Sequence, residues 1–485
     1  MKKRKNILLI YPSQWYSHEW GQYLCIKPQL LSIFSYLKHK GYNVDVLDLE
    51  LEIGRPKNQE DIEFFLKKSE KLIAKYEFNI VGISCYTSLS YLSTIAVAKI
   101  CKRINQQCVI VTGGYHPSVR PEDFMFKDTP IDFMIKGEGE ACFEELCSLD
   151  NKHVPTNKPI MMQGKALLLD NKVKLDWEAY PYTRIYRQHR NMDFPINLSR
   201  ECPFSCIYCM ESSKSKIGWR SYSVAKSIKE IAKITSVLGP KQISFVEPCF
   251  GFSKKWRREF LKELIALKVD CLFWANTRID LMEEGDIDLF SKLNFQLEFG
   301  VESFSEKMLT IMRKTNNPKF YLQKAHAILK YASRKEQLIC LNFMFNHPGE
   351  TKTTIRETLN FLYRINEEIK TPSFLIKGQN YAFFQSSGIC DNLHKYQKIY
   401  GTRIKYLDWW KRKTDYNEAA TDMIPSRSLA INKDSWKLEF ARISSSLQSR
   451  LSPQVKLLLW GQVNDLKKQE FTNYSQNLVT ILGLL

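Results

Sequence analysis

Short apolar runs alternate with amphipathic segments along most of this chain, and no other feature limits its fold as much. In the first part of the chain these runs have strand length and are bounded by polar residues or glycine. The predicted strands are Ile7–Tyr11, Val44–Leu49, Ile80–Tyr86, Val109–Thr112 and Phe133–Ile135, and the predicted helices are Leu30–Lys38, Ile62–Tyr76 and Leu92–Ile104. Because alternating strands and helices form parallel sheets covered on both faces, we predict an N-terminal Rossmann-like α/β domain.

A second series of strands and helices begins near Pro195. Its predicted strands are Ile196–Ser199, Ile243–Val246, Leu272–Ala275, Phe295–Gly300, Leu338–Met344 and Phe374–Lys377. Its predicted helices include Val224–Val237, Arg257–Leu267, Ile287–Leu293 and Thr354–Ile365. Six such units are too few for a closed eight-stranded barrel and indicate an open, partial (β/α)6 barrel. Functional groups of such barrels lie at the carboxyl ends of the strands.

The length of 485 residues allows two or three domains. Asn151–Phe194 is rich in proline and predicts a linker with some ordered structure, including a small hairpin around Asp170-Asn171. Gln385–Leu485 is aromatic, basic and mostly helical in pattern. We therefore predict a first domain over residues 1–150, a linker over 151–194, the barrel over 195–384, and a mainly helical C-terminal domain over 385–485 that shapes the substrate site.

The composition is that of a globular protein, with 44% hydrophobic and 25% charged residues. The 13 cysteines are odd in number and irregularly spaced, which argues against a disulfide framework and favours the reducing cytoplasm. No apolar run approaches the length of a membrane span. The net charge of +19 agrees with nucleic acid, a membrane surface, an acidic substrate or an anionic cofactor as partner, and equally with a lysine-rich background.

Three cysteines follow the first predicted strand of the barrel, in the order Cys202-Pro-Phe-Ser-Cys206-Ile-Tyr-Cys209. Thiolates suit zinc, copper(I) and iron–sulfur clusters. A structural zinc site needs four ligands, and Cys249 is a distant candidate for the fourth. Three cysteines on a [4Fe–4S] cluster leave one iron open to a small molecule, whereas the alternative to any metal site is simple packing of buried thiols.

The Cys-x3-Cys-x2-Cys spacing, with an aromatic residue before the last cysteine, resembles the radical S-adenosylmethionine (SAM) superfamily. Three later segments resemble its strand-end motifs in order and spacing: Phe273–Asp280, Phe299–Ser303 and His347–Thr351. The N-terminal domain is similar to the cobalamin-binding domain that precedes the barrel in one large subgroup, on the strength of Gly113–Pro117 and Lys136–Glu140. The resemblance covers roughly residues 6–380. Two departures are Val246–Phe250 in place of Gly-Gly-Glu, and the absence of an Asp-x-His-x-x-Gly motif.

The resemblance implies three cofactors, namely a [4Fe–4S] cluster, SAM and cobalamin in its methyl form. It implies Cys202, Cys206 and Cys209 as cluster ligands. SAM contacts are implied for Tyr208, Glu247, Arg278, Glu302 and Ser303: Glu247 on the methionine ammonium, Arg278 on the carboxylate, and Glu302 on the ribose or amino group. A turn at Pro348-Gly349 is implied beneath the adenine. Cobalamin contacts are implied for Tyr86, Thr87, Ser88, Gly113, Gly114, His116, Pro117, Gly137, Glu138 and Gly139, with His116 lining the cofactor or serving the structure.

The implied activity is reductive cleavage of SAM followed by methylation of an unactivated carbon through methylcobalamin, with no catalytic residue assigned. A cobalamin-binding enzyme that rearranges or cyclises its substrate, and a non-catalytic iron–sulfur or cobalamin sensor, remain alternatives. The expected partners are a small-molecule or peptide substrate and an electron donor of the flavodoxin or ferredoxin type, with no membrane. Nucleic acid is disfavoured because no RNA-binding module is recognisable. Five residues form a basic aromatic cluster that either stacks on substrate or belongs to the core: Tyr396, Tyr400, Trp409, Trp410 and Lys411.

Overall fold

The computed structural model describes residues 5–16, 25–148, 158–166, 168–171, 174–213, 218–412, 423–424 and 436–456. The chain forms two compact units. The first comprises Met1–His189 and Tyr406–Ala419, and the second comprises Arg190–Lys405 and Ala420–Leu485. The main part of the first unit thus ends at His189, and a segment from the C-terminal part of the chain also belongs to the first unit.

The first unit contains a six-stranded parallel sheet with the order β2-β1-β3-β4-β5-β6. Its strands are β1 Asn6–Tyr11, β2 Asn43–Asp48, β3 Ile80–Ser84, β4 Val109–Gly113, β5 Phe133–Lys136 and β6 Ile160–Gln163. Its helices are α1 Pro28–His39, α2 Leu49–Glu52, α3 Gln59–Ile73, α4 Tyr91–Ile104, α5 Tyr115–Val119, α6 Glu140–Ser148 and α7 Thr183–Gln188. The strand order reverses between β1 and β3, and such sheets bind ligands at the carboxyl edge beside that point.

The predicted strands and helices of this unit are confirmed to within a few residues. The strands are continuous apolar runs because both faces of the sheet are covered, as Ile7 to Ile10 show with at most 1% exposure each. The fifth strand is followed by the predicted turn at Gly137, whose φ of +89° suits glycine.

The segment predicted as a linker contributes to this sheet. β6 pairs in parallel with β5, so it is not half of a hairpin. The predicted hairpin around Asp170-Asn171 is wrong, since Leu169–Asn171 forms a 3-10 turn. Further along, Trp177, Tyr180 and Tyr186 are fully buried. These side chains anchor the segment to the first unit, which a solvated linker would not do.

The second unit contains six parallel strands in sequential order, β14-β13-β12-β11-β10-β7. These strands are β7 Asp193–Ile196, β10 Gln242–Phe245, β11 Leu272–Thr277, β12 Phe295–Glu302, β13 Ile339–Phe345 and β14 Phe374–Asn380, and β8 Ser199–Arg200 pairs antiparallel with β9 Arg220–Ser221. The helices between them are α8 Val224–Leu238, α9 Lys254–Leu267, α10 Glu284–Phe290, α11 Glu306–Ile311, α12 Pro318–Arg334 and α13 Lys352–Glu368. The partial (β/α)6 barrel is confirmed.

Two details differ from prediction. The first barrel strand lies three residues earlier than Ile196–Ser199 and contains Pro195. Proline is tolerated there because β7 is an edge strand, where a missing ladder N–H costs little. The described residues after Gln385 are mainly helical, with α14 Gly388–Asp391, α15 Leu393–Tyr400 and α16 Lys437–Ser449 beside the two-residue strands β15 Arg403–Ile404 and β16 Met423–Ile424. They are divided between the two units instead of forming one domain.

Among the helices that the structure describes, none is long and apolar enough to span a membrane.

Candidate functional site

The three cysteines lie in the loop between β8 and β9, which two backbone hydrogen bonds hold in place. The N–H of Ile207 donates to the Met312 carbonyl at 3.0 Å, and the N–H of Ile389 donates to the Ile207 carbonyl at 3.1 Å. Gly388 allows this close approach, since a Cβ there would stand 2.3 Å from Ile207 Cδ1. The loop is therefore braced from both sides by segments distant in sequence.

All 13 cysteines are free thiols, and those of the loop differ in environment. Cys206 is buried, whereas Cys202 and Cys209 are half-buried. A hydrogen bond with the buried thiol of Cys249 lowers the pKa of Cys202 to about 7, while burial raises the pKa of Cys209 to about 12. The candidate Cys249 thus adjoins the loop despite its distance in sequence.

Within the described ranges, no three His, Cys, Asp or Glu side chains converge on one point as ligands of a single metal ion do. An iron–sulfur cluster makes a different demand, because its thiolates bind separate irons and stand further apart. The donor set of three soft thiols on one braced loop fits such a cluster.

Arg278, at the carboxyl end of β11, is directed at the cysteine loop. Its Nη1 donates to Cys206 Sγ at 3.8 Å, and its guanidinium carbon lies 3.8 Å from the centre of the Phe204 ring. Nε and Nη2 donate to the two carboxylate oxygens of Asp280 at 3.0 and 2.8 Å, and Nη2 also donates to the Lys314 carbonyl at 2.6 Å. The side chain is 5% exposed.

Glu302 ends β12 at a bulge and contacts the aromatic residue of the cysteine loop. Its Oε1 accepts from the Tyr208 hydroxyl at 3.0 Å and lies 3.5 Å from Lys314 Nζ. The backbone of Glu302 has a φ of +69°, and the strand register shifts between Gly300 and Glu302. A Cβ at Gly300 would stand 2.6 Å from Glu302 Oε1, so glycine leaves room for the carboxylate. The bulge re-aims this carboxylate towards the loop.

Glu247 follows β10 and is buried, with 1% of its surface exposed. Ser199 Oγ lies 3.4 Å from its Oε1, but its Oε2 is buried and has no hydrogen-bond partner among the described residues. Burial raises the pKa of Glu247 to about 8, against smaller opposing effects of backbone and Ser199 hydrogen bonds. A buried carboxylate oxygen without a donor fits a ligand ammonium group, as the resemblance implies for the methionine end of SAM.

Ser303 is placed differently from the other predicted SAM contacts. Its hydroxyl pairs with Thr358 Oγ1 at 2.9 Å and accepts from the Ser305 N–H at 3.1 Å. The residue is 1% exposed and ties the end of β12 to α13. At Gly349 the φ is +93° and the Tyr400 ring packs against the turn. The roles predicted for both positions with respect to SAM stay predictions.

Several residues of this site were not singled out from the sequence. His347, at the end of β13, is fully buried; its Nδ1 donates to the Pro348 carbonyl at 2.8 Å, and burial lowers its pKa to about 4. Its ring stands perpendicular to that of Tyr208, with the centres 6.1 Å apart. Asp280 and His347 lie inside the segments that resemble the radical SAM strand-end motifs, so the sequence contained a signal for both residues. Lys314 had none, because it lies between α11 and α12.

In the first unit, the predicted cobalamin loops follow β3, β4 and β5 and are joined by hydrogen bonds. The Cys85 N–H donates to the Gly113 carbonyl at 2.8 Å, and the Gly137 N–H donates to Ser118 Oγ at 3.1 Å. Gly114 has a φ of +113°, and a Cβ there would stand 2.7 Å from the Cys85 carbonyl. The Thr87 hydroxyl oxygen is buried, and no residue in the described part of the chain forms a hydrogen bond with it. An unpaired polar atom on an edge of small residues fits an amide-rich ligand such as cobalamin.

Of the other residues predicted there, Tyr86 is 48% exposed, and Glu138 and Gly139 follow β5. His116 and Pro117 are buried. His116 Nδ1 is 2.8 Å from Ser88 Oγ, and its Nε2 is 3.2 Å from Asp123 Oδ2. Because a carboxylate only accepts, Nε2 carries the proton and Nδ1 accepts from Ser88. Burial lowers the pKa of His116, and its role with respect to cobalamin stays a prediction.

The basic aromatic cluster predicted from the sequence is divided between the units. Tyr396 and Tyr400 pack against each other in the second unit, with ring centres 5.7 Å apart. Trp409 and Trp410 are buried in the first unit, at 3% and 4% exposure. For these two indoles the core alternative is therefore correct, and a stacking surface for substrate is not.

Two family models match the chain. The B12 binding domain matches residues 22–147, and the Radical SAM superfamily matches residues 196–362. The first range contains β2 to β5 of the first sheet, and the second contains β10 to β13 of the second sheet together with the cysteine loop. The chain is thus a radical SAM protein with an N-terminal B12-binding domain, which confirms the predicted family, the fold class and the cofactor set.

Two relatives of the chain have the names of enzymes. It is 26% identical over 347 residues, 68% of this chain and 74% of the relative, to an uncharacterised methyltransferase of Pyrococcus horikoshii. It is 24% identical over 327 residues, 63% of either chain, to the anaerobic magnesium-protoporphyrin IX monomethyl ester cyclase of a Synechocystis strain. The first name is that of a methyltransferase and the second that of a cyclase, the two reaction types that were weighed from the sequence.

The fold is also that of a solved structure. The radical SAM methyltransferase TsrM from Kitasatospora setae, determined with cobalamin and a [4Fe–4S] cluster bound, matches with a TM-score of 0.64 at 14% identity. The match covers 93% of this chain and 90% of TsrM. At this identity the likeness shows the shared fold.

Proposed function

We propose that this chain is a cobalamin-dependent radical SAM methyltransferase that methylates an unactivated carbon of a small-molecule or peptide substrate. One observation carries the proposal: three successive strand ends present Glu247, Arg278 and Glu302 beside a braced loop of three cysteines. Arg278 contacts Cys206, and Glu302 contacts Tyr208 of that loop. The methyltransferase name of the Pyrococcus relative supports the type of reaction.

In this proposal Cys202, Cys206 and Cys209 hold the cluster, and Glu247 receives the ammonium of SAM on its unpaired oxygen. Once bound, the cofactors supply one-electron cleavage of SAM and a methyl group for transfer. Tyr208, held by Glu302 at 3.0 Å, orients the loop beside the ligand. The loops after β3, β4 and β5 receive cobalamin in the first unit. The electron enters from a flavodoxin or ferredoxin type donor.

The test uses protein reconstituted without oxygen with iron, sulfide and cobalamin, then reduced and given SAM with a deuterated methyl group. We expect 5′-deoxyadenosine, S-adenosylhomocysteine and deuterated methylcobalamin, all detected by mass spectrometry without knowledge of the substrate. Cys206→Ala abolishes 5′-deoxyadenosine, whereas Cys271→Ala, a buried thiol at the start of β11, leaves it unchanged. Absence of 5′-deoxyadenosine from the wild-type protein would reject the enzyme and favour a sensor.

A second candidate is radical cyclisation or rearrangement without methyl transfer, favoured by the match to the Synechocystis cyclase. The same experiment separates the two. Formation of 5′-deoxyadenosine without any deuterated methylcobalamin or S-adenosylhomocysteine would support the cyclisation and reject the methyltransferase.

A further inference from the structure

Four of the five N–H donors of the Arg278 guanidinium are directed at protein atoms. Asp280 takes Nε and one Nη2 hydrogen, and the Lys314 carbonyl takes the other Nη2 contact. Nη1 is left for Cys206 Sγ at 3.8 Å, within the range for a hydrogen bond to sulfur. The Phe204 ring covers one face of the guanidinium. Because Asp280 and the Lys314 carbonyl fix the plane and orientation of the guanidinium, one N–H of Nη1 is directed at the thiol of Cys206.

This arrangement leaves little capacity for a ligand carboxylate. The side chain is 5% exposed, and a bidentate contact with a ligand would require it to leave Asp280. Exchanging one bidentate carboxylate for another gains little, and the half-buried Asp280 contact would be lost. The resemblance assigns Arg278 to the carboxylate of SAM, whereas the observed contacts assign it to the cysteine loop.

We propose that Arg278 is a positioning residue of the cluster, which donates a hydrogen bond to the thiolate of Cys206 and thereby raises the reduction potential of the cluster. The proposal rests on the proposed function insofar as Cys206 is a cluster ligand. Hydrogen bonds to ligating sulfur tune the potential of iron–sulfur clusters. Reduction adds negative charge, so a nearby buried cation with an N–H aimed at the sulfur stabilises the reduced form more than the oxidised form.

Asp280 also influences the hydrogen bond between Arg278 and Cys206. Its two hydrogen bonds fix the plane of the guanidinium, and its negative charge offsets part of the cation's effect. The Phe204 ring, two residues before Cys206, stacks on the same plane. The loop and the donor are thus held to each other, and the hydrogen bond needs no rearrangement when the cluster changes charge.

The experiment compares Arg278→Gln and Arg278→Lys with Arg257→Gln in reconstituted protein. Arg257 is a matched control, since its side chain is 1% exposed and its Nη2 pairs with Asp286 at 2.7 Å on the outer helices. The reduction potential is measured by redox titration followed by electron paramagnetic resonance, and SAM affinity by the change that SAM causes in the same signal.

In Arg278→Gln we expect reduction to become at least about tenfold less favourable, a shift of about 59 mV for a one-electron couple. Arg278→Lys keeps the charge and regains part of the shift, Arg257→Gln leaves the potential unchanged, and SAM affinity changes less than threefold. If Arg278→Gln loses its iron, Arg278→Lys is used in its place. A reduction potential of Arg278→Lys below that of the wild type then supports the inference, and an unchanged potential contradicts it.

An unchanged potential with a tenfold loss of SAM affinity would overturn the inference and return Arg278 to the SAM carboxylate. A wild-type protein that assembles no cluster would instead reject the proposed function. The first failure is observed in the Arg278→Gln variant, through its reduction potential and SAM affinity. The second is observed in the wild-type protein, through cluster assembly.

Discussion

The indole N–H of Trp410 donates a 2.7 Å hydrogen bond to the carboxylate of Asp123, although 287 residues separate the two in sequence. Lys411 Nζ lies 2.6 Å from the other carboxylate oxygen. Both partners are in the first unit, together with the returning segment Tyr406–Ala419. Asp123 therefore anchors Trp410 and Lys411 to the B12-binding unit. His116 contacts the same carboxylate.

Replacing Trp410 with phenylalanine tests how much this anchor stabilises the unit. The change removes a hydrogen bond to a buried carboxylate, so the expected loss is about 1.5–3 kcal/mol in the free energy of unfolding. Tyr91→Phe is the control, because the Tyr91 hydroxyl donates at 2.8 Å to the neutral backbone carbonyl of Asp123. Its expected loss is about 1 kcal/mol. Urea unfolding followed by circular dichroism measures both, and a larger loss for Tyr91→Phe would contradict the anchor.

The Asp123 carboxylate also predicts that the free energy of unfolding depends on pH in the acidic range. Burial by itself would raise the pKa of Asp123, but hydrogen bonds from His116 and Lys411 outweigh it and lower the pKa to about 2. The folded state then binds the proton more weakly than the unfolded chain. The stabilisation is complete above about pH 4 and disappears as the pH falls from about 4 to 2, by about 2 kcal/mol.

Asp123→Asn should flatten the unfolding free energy between about pH 4 and pH 2 relative to wild type. Glu122→Gln serves as control, since that side chain is 54% exposed and pairs only with Arg120 among the ion pairs of the described residues. An identical pH slope in wild type and Asp123→Asn would show that the carboxylate is not a source of the acid sensitivity.

Gly114 and Gly113 form a matched pair of positions for testing the loops that are predicted to bind cobalamin. Gly114→Ala places a Cβ 2.7 Å from the Cys85 carbonyl at a φ of +113°, whereas Gly113→Ala meets nothing closer than 3.8 Å. Strained backbone of this kind costs about 1–3 kcal/mol. We expect Gly114→Ala to lower the melting temperature and the cobalamin bound per chain, read from absorbance, and Gly113→Ala to keep both. Equal behaviour of the two variants would argue against the tight packing of these loops.

Glu247→Gln is expected to weaken SAM binding and to remove its pH dependence. The pKa of Glu247 is about 8 because the carboxyl is buried, so in the absence of ligand it is protonated at pH 7. An ammonium prefers the ionised form, and SAM affinity should therefore rise as the pH approaches about 8. Loss of a hydrogen bond to a charged group costs about 1.5–3 kcal/mol, roughly tenfold to a hundredfold in affinity.

The control for this variant is Glu350→Gln. Burial also raises the pKa of Glu350 to about 8, but that carboxylate accepts from the Asn346 N–H in the turn after β13. Isothermal titration with SAM between pH 6.5 and 8.5 compares the three proteins. A pH profile that persists in Glu247→Gln and flattens in Glu350→Gln would assign the effect to the wrong carboxylate.

Cys249→Ala tests whether Cys249 is a ligand of the cluster or only lies beside the three cysteines of the loop. The buried Cys249 contacts Cys202 without belonging to the loop. We expect the variant to keep the iron content of the wild type, because three ligands suffice for a cluster with one open iron, while Cys202→Ala loses most of its iron. Iron and sulfide assays after reconstitution give the result. A loss of iron in Cys249→Ala as large as in Cys202→Ala would make Cys249 a fourth ligand.

Prediction from the sequence succeeded where the signal was local. Buried parallel strands are continuous apolar runs, so most strands of both sheets were placed to within a few residues. β6 was missed because it is an edge strand whose Ile160 and Met161 are 45% and 46% exposed, in a segment that reads as irregular. The first barrel strand was shifted because Pro195 argues against a strand unless it lies at an edge.

The sequence by itself determined the order of strands and helices, the cysteine loop and the cofactor class, because each depends on spacing over a few residues. Only the tertiary structure decided where side chains meet. Arg278 reaches Cys206, 72 positions away, and Trp410 reaches Asp123 in the other half of the chain. Such contacts depend on how strands are ordered in a sheet and on where a returning segment packs. These are properties of the whole buried core, and no local pattern encodes them.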